Sequence, residues 1–150
     1  MKVSSSVHID GSREEVWKVI SDIEHANENI SAIEKIEILE EAGESLEGLK
    51  WRETRKMFGR EATEVMWVSD SEENYYYETL AKSHGMAYVS KMTITDDDSG
   101  ETLTMEFHST PMNFWGRLGE LIFGRSMTTS LNKSIKQDLE DIKHVVERMH

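Results

Sequence analysis

The sequence predicts an α+β fold: a curved, seven-stranded antiparallel sheet gripping one long C-terminal helix. Three observations predict it. Residues 3 to 9 alternate apolar and polar, the period of a half-buried strand. From Ile33 to Thr110 six further strand-like runs follow one another with only short turns between them, which suits an antiparallel meander and leaves no room for crossovers. After Pro111 the apolar period changes to three or four residues and holds to the end of the chain.

In the first strand Val3, Ser5, Val7 and Ile9 share one face, with Ser4, Ser6 and His8 on the other; Gly11 ends it. Ser12 and Glu15 form a capping-box pattern, so a helix starts there with the stripe Val16, Ile20, Ile23 and Trp17 beside it. A second short helix is expected through Ala26 to Ile30. The six strands are expected near 33–41, 48–58, 61–69, 74–82, 85–96 and 101–110. Their breaks lie at Glu41 to Ser45, Gly59-Arg60, Ser69 to Glu73, Ser83 to Gly85 and Asp96 to Gly100. The final helix carries Leu118, Leu121, Ile122, Met127, Leu131, Ile135, Leu139, Ile142, Val145 and Met149, with an interruption expected near Gly124. Its section 127–149 spans about 33 Å at 1.5 Å per residue, enough to cross the sheet.

One domain, 1–150, is expected from 150 residues with 37% apolar content. Folding a chain of this length buries roughly 70% of its surface, so it needs neither disulfides nor a structural metal. The absence of cysteine excludes thiol catalysis and thiolate-bound metal clusters. Seventeen Lys and Arg against 29 Asp and Glu leave a charge of −12, which repels phosphate backbones and anionic lipid headgroups, so no nucleic-acid partner and no stable membrane insertion are expected. The first residues lack a signal-peptide apolar stretch, giving a cytoplasmic expectation, and N-x-S/T matches at Asn29 and Asn132 are read as chance.

The stretch Leu49 to Val68 holds the candidate site. Alternation sets Leu49, Trp51, Glu53, Arg55 and Met57 on the inner face. With a Gly59-Arg60 turn, Arg55 faces Glu64, Glu53 faces Met66 and Trp51 faces Val68. Three charges among Trp and Met side chains require pairing or water, because desolvating each costs several kcal/mol. Two readings stand: Arg55, held by Glu64, forms with Glu53 a polar anchor for a largely apolar ligand, or the three form a hydrated ion cluster that only sets register.

Tyr75, Tyr77 and Thr79, then Met86, Tyr88, Ser90, Met92 and Ile94, then Leu103, Met105, Phe107 and Ser109 are expected inward, the parity of the Tyr75 to Tyr77 run being open. Nine methionines mean either an adaptable cavity or ordinary core filler. Met112 to Phe123 is a lid, the buried start of the last helix, or a dimer contact. The candidate ligand contacts are Trp51, Glu53, Arg55, Glu64, Met66, Tyr75, Tyr77, Tyr88, Met105, Phe107, Trp115 and Leu131. No metal-binding, hydrolase-elbow or nucleotide motif occurs, so no metal and no cofactor are expected. His84 and His108 are the histidines nearest a cavity mouth, although parity turns His108 outward.

The element order, with VHIDGSREEVWKVISDIE, GLKWRETRKMFGREATEVMWV and DLEDIKHVVE, resembles the SRPBCC superfamily, also called START-like or polyketide cyclase/dehydrase and lipid transport. That resemblance covers essentially the whole chain and implies the helix-grip fold. With the apolar inner face, the expected function is binding or transport of a small hydrophobic, lipid-like or polyketide-like molecule, and a monomer or weak homodimer is expected. The alternatives are a cyclase or dehydratase using Glu53 or Glu64 with Arg55, and a protein-interaction or chaperone-associated module.

Overall fold

A computed structural model describes residues 1–57 and 59–150. Strand β1 (Lys2–Ile9) leads into helix α1 (Arg13–Ser21), a single 3-10 turn (Ile23–His25) and α2 (Ala26–Asn29). Six strands follow, β2 (Ile33–Glu40), β3 (Lys50–Met57), β4 (Arg60–Glu72), β5 (Tyr76–Ser83), β6 (Met86–Asp97) and β7 (Gly100–Pro111), before helix α3 (Phe114–Glu147). The sheet is antiparallel throughout in the order β1-β7-β6-β5-β4-β3-β2. Strands β2 to β7 form the predicted meander, and β1 closes on β7. Phe58, the expected last residue of its strand, lies outside the described residues.

Local chemistry explains the helix starts. Ser12 Oγ accepts from the Glu15 amide at 3.1 Å and Glu15 Oε1 accepts from the Ser12 amide at 2.9 Å, the reciprocal pair that satisfies two otherwise orphaned donors. Asn113 caps α3 by accepting from the Gly116 amide at 3.0 Å. A methyl group on Gly116 would overlap the Gly85 carbonyl oxygen, so glycine there lets the first turn of α3 lie against the β5–β6 turn.

Helix α3 runs unbroken, against the interruption expected at Gly124. A helical glycine costs about 1 kcal/mol, too little to break a helix that packs along much of its length. Leu131, Ile135, Leu139, Ile142 and Val146 are all buried against the sheet, α1 and one another, in a core that includes Val3, Ile9, Val16, Ile94 and Leu103. A second cluster under β2 to β4 holds Ile23, Leu49, Trp51 and Val68.

The β3–β4 register departs from the expected one. Trp51 faces Met66, Glu53 faces Glu64 and Arg55 faces Ala62, a slip of two residues. The cause is the turn: Gly59 takes a left-handed φ of +74°, which suits the later of two turn positions, and Arg60 is already paired with Met57. A two-residue slip preserves which face each side chain occupies but changes every cross-strand neighbour. Arg55 therefore loses Glu64 as its partner.

At the far end of the sheet, His8 donates to Asp97 Oδ2 at 2.7 Å and to Asp10 Oδ1 at 2.9 Å. The bonds to Asp10 and Asp97 raise the imidazole pKa above 6.5. The Ser99 amide, with help from His8, holds Asp97 down to about 2. Because the folded pKa of His8 is raised, its contribution to stability is complete below 6.5 and is lost as pH rises through the folded value. An NMR titration should place the His8 midpoint above 6.5 and Asp97→Asn should lower it; a midpoint at or below 6.5 refutes the bridge.

Candidate functional site

The concave face of the sheet stands off from α3 and the α1–α2 segment, leaving a cavity of about 490 Å³. Period-2 alternation supplies its wall: Trp51, Glu53 and Arg55 from β3, Glu64 and Met66 from β4, Tyr77 and Thr79 from β5, Tyr88 and Ser90 from β6, Met105 and Phe107 from β7. Ile20, Ile23 and Ile30 close one side, and Met127, Leu131, Ile135 and Asp138 of α3 form the roof. Tyr88 and Phe107 stack with ring centroids 5.7 Å apart, and Trp17 meets Tyr77 edge-on at 6.2 Å.

Its polar centre is a triad of two buried carboxylates and a guanidinium that is 16% exposed. Arg55 donates through Nε to Glu53 Oε2 and through Nη2 to Asp138 Oδ2, each at 3.0 Å. Trp51 Nε1 donates to the other Glu53 oxygen at 3.3 Å. Two carboxylates thus share one guanidinium, and Asp138 Oδ1 is buried with no hydrogen-bond partner among the described residues. Burial works against the Arg55 charge, but Asp138 and Glu53 outweigh it and raise its pKa. Burial raises the Asp138 pKa against the pull of Arg55. Burial, with the Glu53 and Asp138 charges nearby, also pushes up the Tyr77 phenol.

Glu64 occupies a separate polar corner. Burial raises its pKa, opposed by a hydrogen bond with Ser83 and the nearness of His84; Glu53 across the strand pair pushes it further up. His84 also borders the cavity, held by a 2.7 Å hydrogen bond with Ser83 Oγ.

Ten of the residues expected to face a ligand line this cavity, and Tyr75 and Trp115 do not. Tyr75 has the parity of Tyr77 but precedes the first residue of β5, and its exposed ring lies 4.6 Å from the Arg13 guanidinium. Trp115 is 74% exposed because the neighbouring Gly116 faces the β5–β6 turn, which turns position 115 about 100° away on the helix. The residue that sequence reasoning missed is Asp138. Its signal was available: it lies three residues after Ile135 and four before Ile142, a carboxylate inside an otherwise apolar stripe.

Among the described residues no group of three His, Asp or Glu is placed to hold a metal ion. Nor is any helix among them long and apolar enough to cross a membrane.

A curved antiparallel sheet, a long C-terminal helix and a cavity between them define a START-type helix-grip protein. The match of residues 1–147 to the family described as "Polyketide cyclase / dehydrase and lipid transport" is consistent with that geometry, and the chain belongs to this family. No curated protein sequence matches it. Among solved structures it is similar to TTHA0849 from Thermus thermophilus, at 12% identity over 99% of both chains with a TM-score of 0.81. A START superfamily protein from Mycobacterium smegmatis aligns at 15% identity over 99% of both chains, TM-score 0.79. The Zhui aromatase/cyclase from a Streptomyces species aligns at 16% identity over 99% of this chain and 94% of that one, TM-score 0.78. At these identities the likeness is one of fold.

Proposed function

We propose that the chain binds a small hydrophobic molecule, lipid-like or polyketide-like, and directs a neutral hydroxyl of that molecule at Asp138. The observation that carries this is the Arg55–Glu53–Asp138 triad in an otherwise apolar cavity, with one carboxylate oxygen left over. A cavity of about 490 Å³ falls in the ordinary range for small-ligand sites. Arg55 is already held by two carboxylates, so a third anion would add unpaired negative charge, whereas a hydroxyl satisfies Asp138 Oδ1 at no charge cost. A neutral, hydrogen-bond-donating head group therefore suits the triad better than an anionic one.

A cyclase or dehydratase reading is favoured by a different observation: Glu64 faces Glu53 and not Arg55, and its pKa is raised. A carboxyl with raised pKa beside a cavity suits proton exchange. A closed, filled interior would favour a protein-interaction module, and the cavity of about 490 Å³ supports the ligand-binding reading over it.

Native mass spectrometry of freshly purified protein, followed by denaturing extraction, should release a hydrophobic, hydroxyl-bearing molecule. With the emptied protein, 2-naphthol should bind more tightly than 2-naphthoate, and Asp138→Asn should weaken 2-naphthol about tenfold. Tighter binding of the carboxylate overturns the hydroxyl assignment. Glu64→Gln should leave 2-naphthol binding unchanged and abolish any deuterium exchange into a bound diketone; unaltered exchange removes the enzymatic reading.

A further inference from the structure

We propose that the exposed first half of α3 is a docking face for an anionic phospholipid bilayer. Phe114, Trp115, Leu121, Ile122 and Phe123 are 68%, 74%, 82%, 61% and 59% exposed. At about 100° per residue, Phe114, Trp115, Leu121 and Ile122 fall within an arc of about 120°, with Phe123 at its margin, and no described residue covers them. Large apolar side chains gathered on one exposed segment mark an interaction surface, and Trp, Phe and Leu on a helix lying flat are the residues that enter the headgroup–acyl boundary.

Charge selects the occupant. The chain as a whole has 29 acids and 17 bases, but between Met112 and Lys136 the bases Arg117, Arg125, Lys133 and Lys136 are joined by one acid, Glu120. Those four bases are exposed, while Glu120 is half-buried and turned toward the Met1 nitrogen at 3.6 Å. The sign of the chain is thus inverted where its apolar side chains are bare. A symmetric contact with a second copy would set Arg117 and Arg125 against themselves between two molecules of charge −12. A negatively charged lipid surface complements the segment and repels the remainder, so docking is confined to one orientation.

The face is continuous with the cavity. Met127, partly exposed, and Leu131, buried one turn further on, both line it. A helix seated on lipid by residues 114–125 would hold the cavity's α3 edge against the bilayer. The inference holds whatever the cavity contains, because it concerns the outer surface alone.

Flotation of the whole protein tests it with vesicles of phosphatidylcholine and of phosphatidylcholine with about one-third phosphatidylglycerol. Co-flotation is expected with the anionic vesicles at about 0.05 M salt and its loss near 0.5 M. Trp115 fluorescence should shift to the blue on binding, and Trp115→Phe should remove that shift. The double variant Leu121→Asp, Ile122→Asp should abolish binding, and Arg117→Glu with Arg125→Glu should weaken it at least about tenfold. All four positions are exposed, so the variants should keep the wild-type circular dichroism and 2-naphthol binding. Equal binding to neutral vesicles, binding that survives the aspartate pair, or a dimer in solution that the aspartate pair dissociates would each overturn the proposal.

Discussion

Arg55→Ala should lower folding stability by about 3–5 kcal/mol. Removal of the guanidinium leaves Glu53 on β3 and Asp138 on α3, both buried, without the cation they share. Breaking a buried pair in this way is far more costly than never having built it. Replacing the whole triad, as Arg55→Met with Glu53→Leu and Asp138→Leu, should therefore recover most of the loss while removing discrimination between 2-naphthol and 2-naphthoate. The pH dependence has a defined sign. Burial already raises Asp138, and without Arg55 its folded pKa rises further. The folded variant then binds more protons than the unfolded chain, so its stability falls as pH rises through that window and recovers on acidification. Urea denaturation at pH 7 and pH 5 measures both effects. An unchanged midpoint at pH 7 would mean that the triad is open to water and carries no buried charge.

Leu139→Ala is expected to cost about 2–5 kcal/mol, with a fall in Tm of about 5–15 °C for a domain of this size. Leu121→Ala, the same change eighteen residues earlier in the same helix, should stay within about 0.5 kcal/mol. The contrast rests on exposure: 1% for Leu139 against 82% for Leu121. Leu139 packs with Ile135, Ile142 and Val146 against the sheet, so its deletion leaves a void that close-packed neighbours cannot fill. Thermal melts of the two variants, with urea slopes to confirm an unchanged transition, check the pair. A comparable loss from Leu121→Ala would show that the first half of α3 is packed in solution, and would remove the bare surface on which lipid docking depends.

These two leucines also mark where sequence reasoning stops. Both belong to one apolar stripe from Leu118 to Met149, and periodicity treats them alike. Only the fold places β1, β7 and α1 under one and leaves the other uncovered by any described residue. Asp138 is the complementary case: its position inside the stripe was legible, but its partner on β3, 83 residues away in sequence, was not.

The sequence by itself determined the element order, the antiparallel meander, the ends of the strands to within a few residues and the inward face of β3. These follow from local rules: a period of two or of three to four, a capping box, a glycine or proline at a break. It did not determine the β3–β4 register, because one residue's difference in where the chain reverses moves every cross-strand pair by two positions without altering the apolar pattern. The tertiary structure decided that Arg55 pairs with Glu53 and Asp138 and not with Glu64, which leaves Glu64, already expected on the inner face, as a carboxyl with raised pKa. The physical reason is that a buried charge is satisfied by whatever lies within about 3 Å of it in space, and that neighbour is set by packing between distant elements and not by order along the chain.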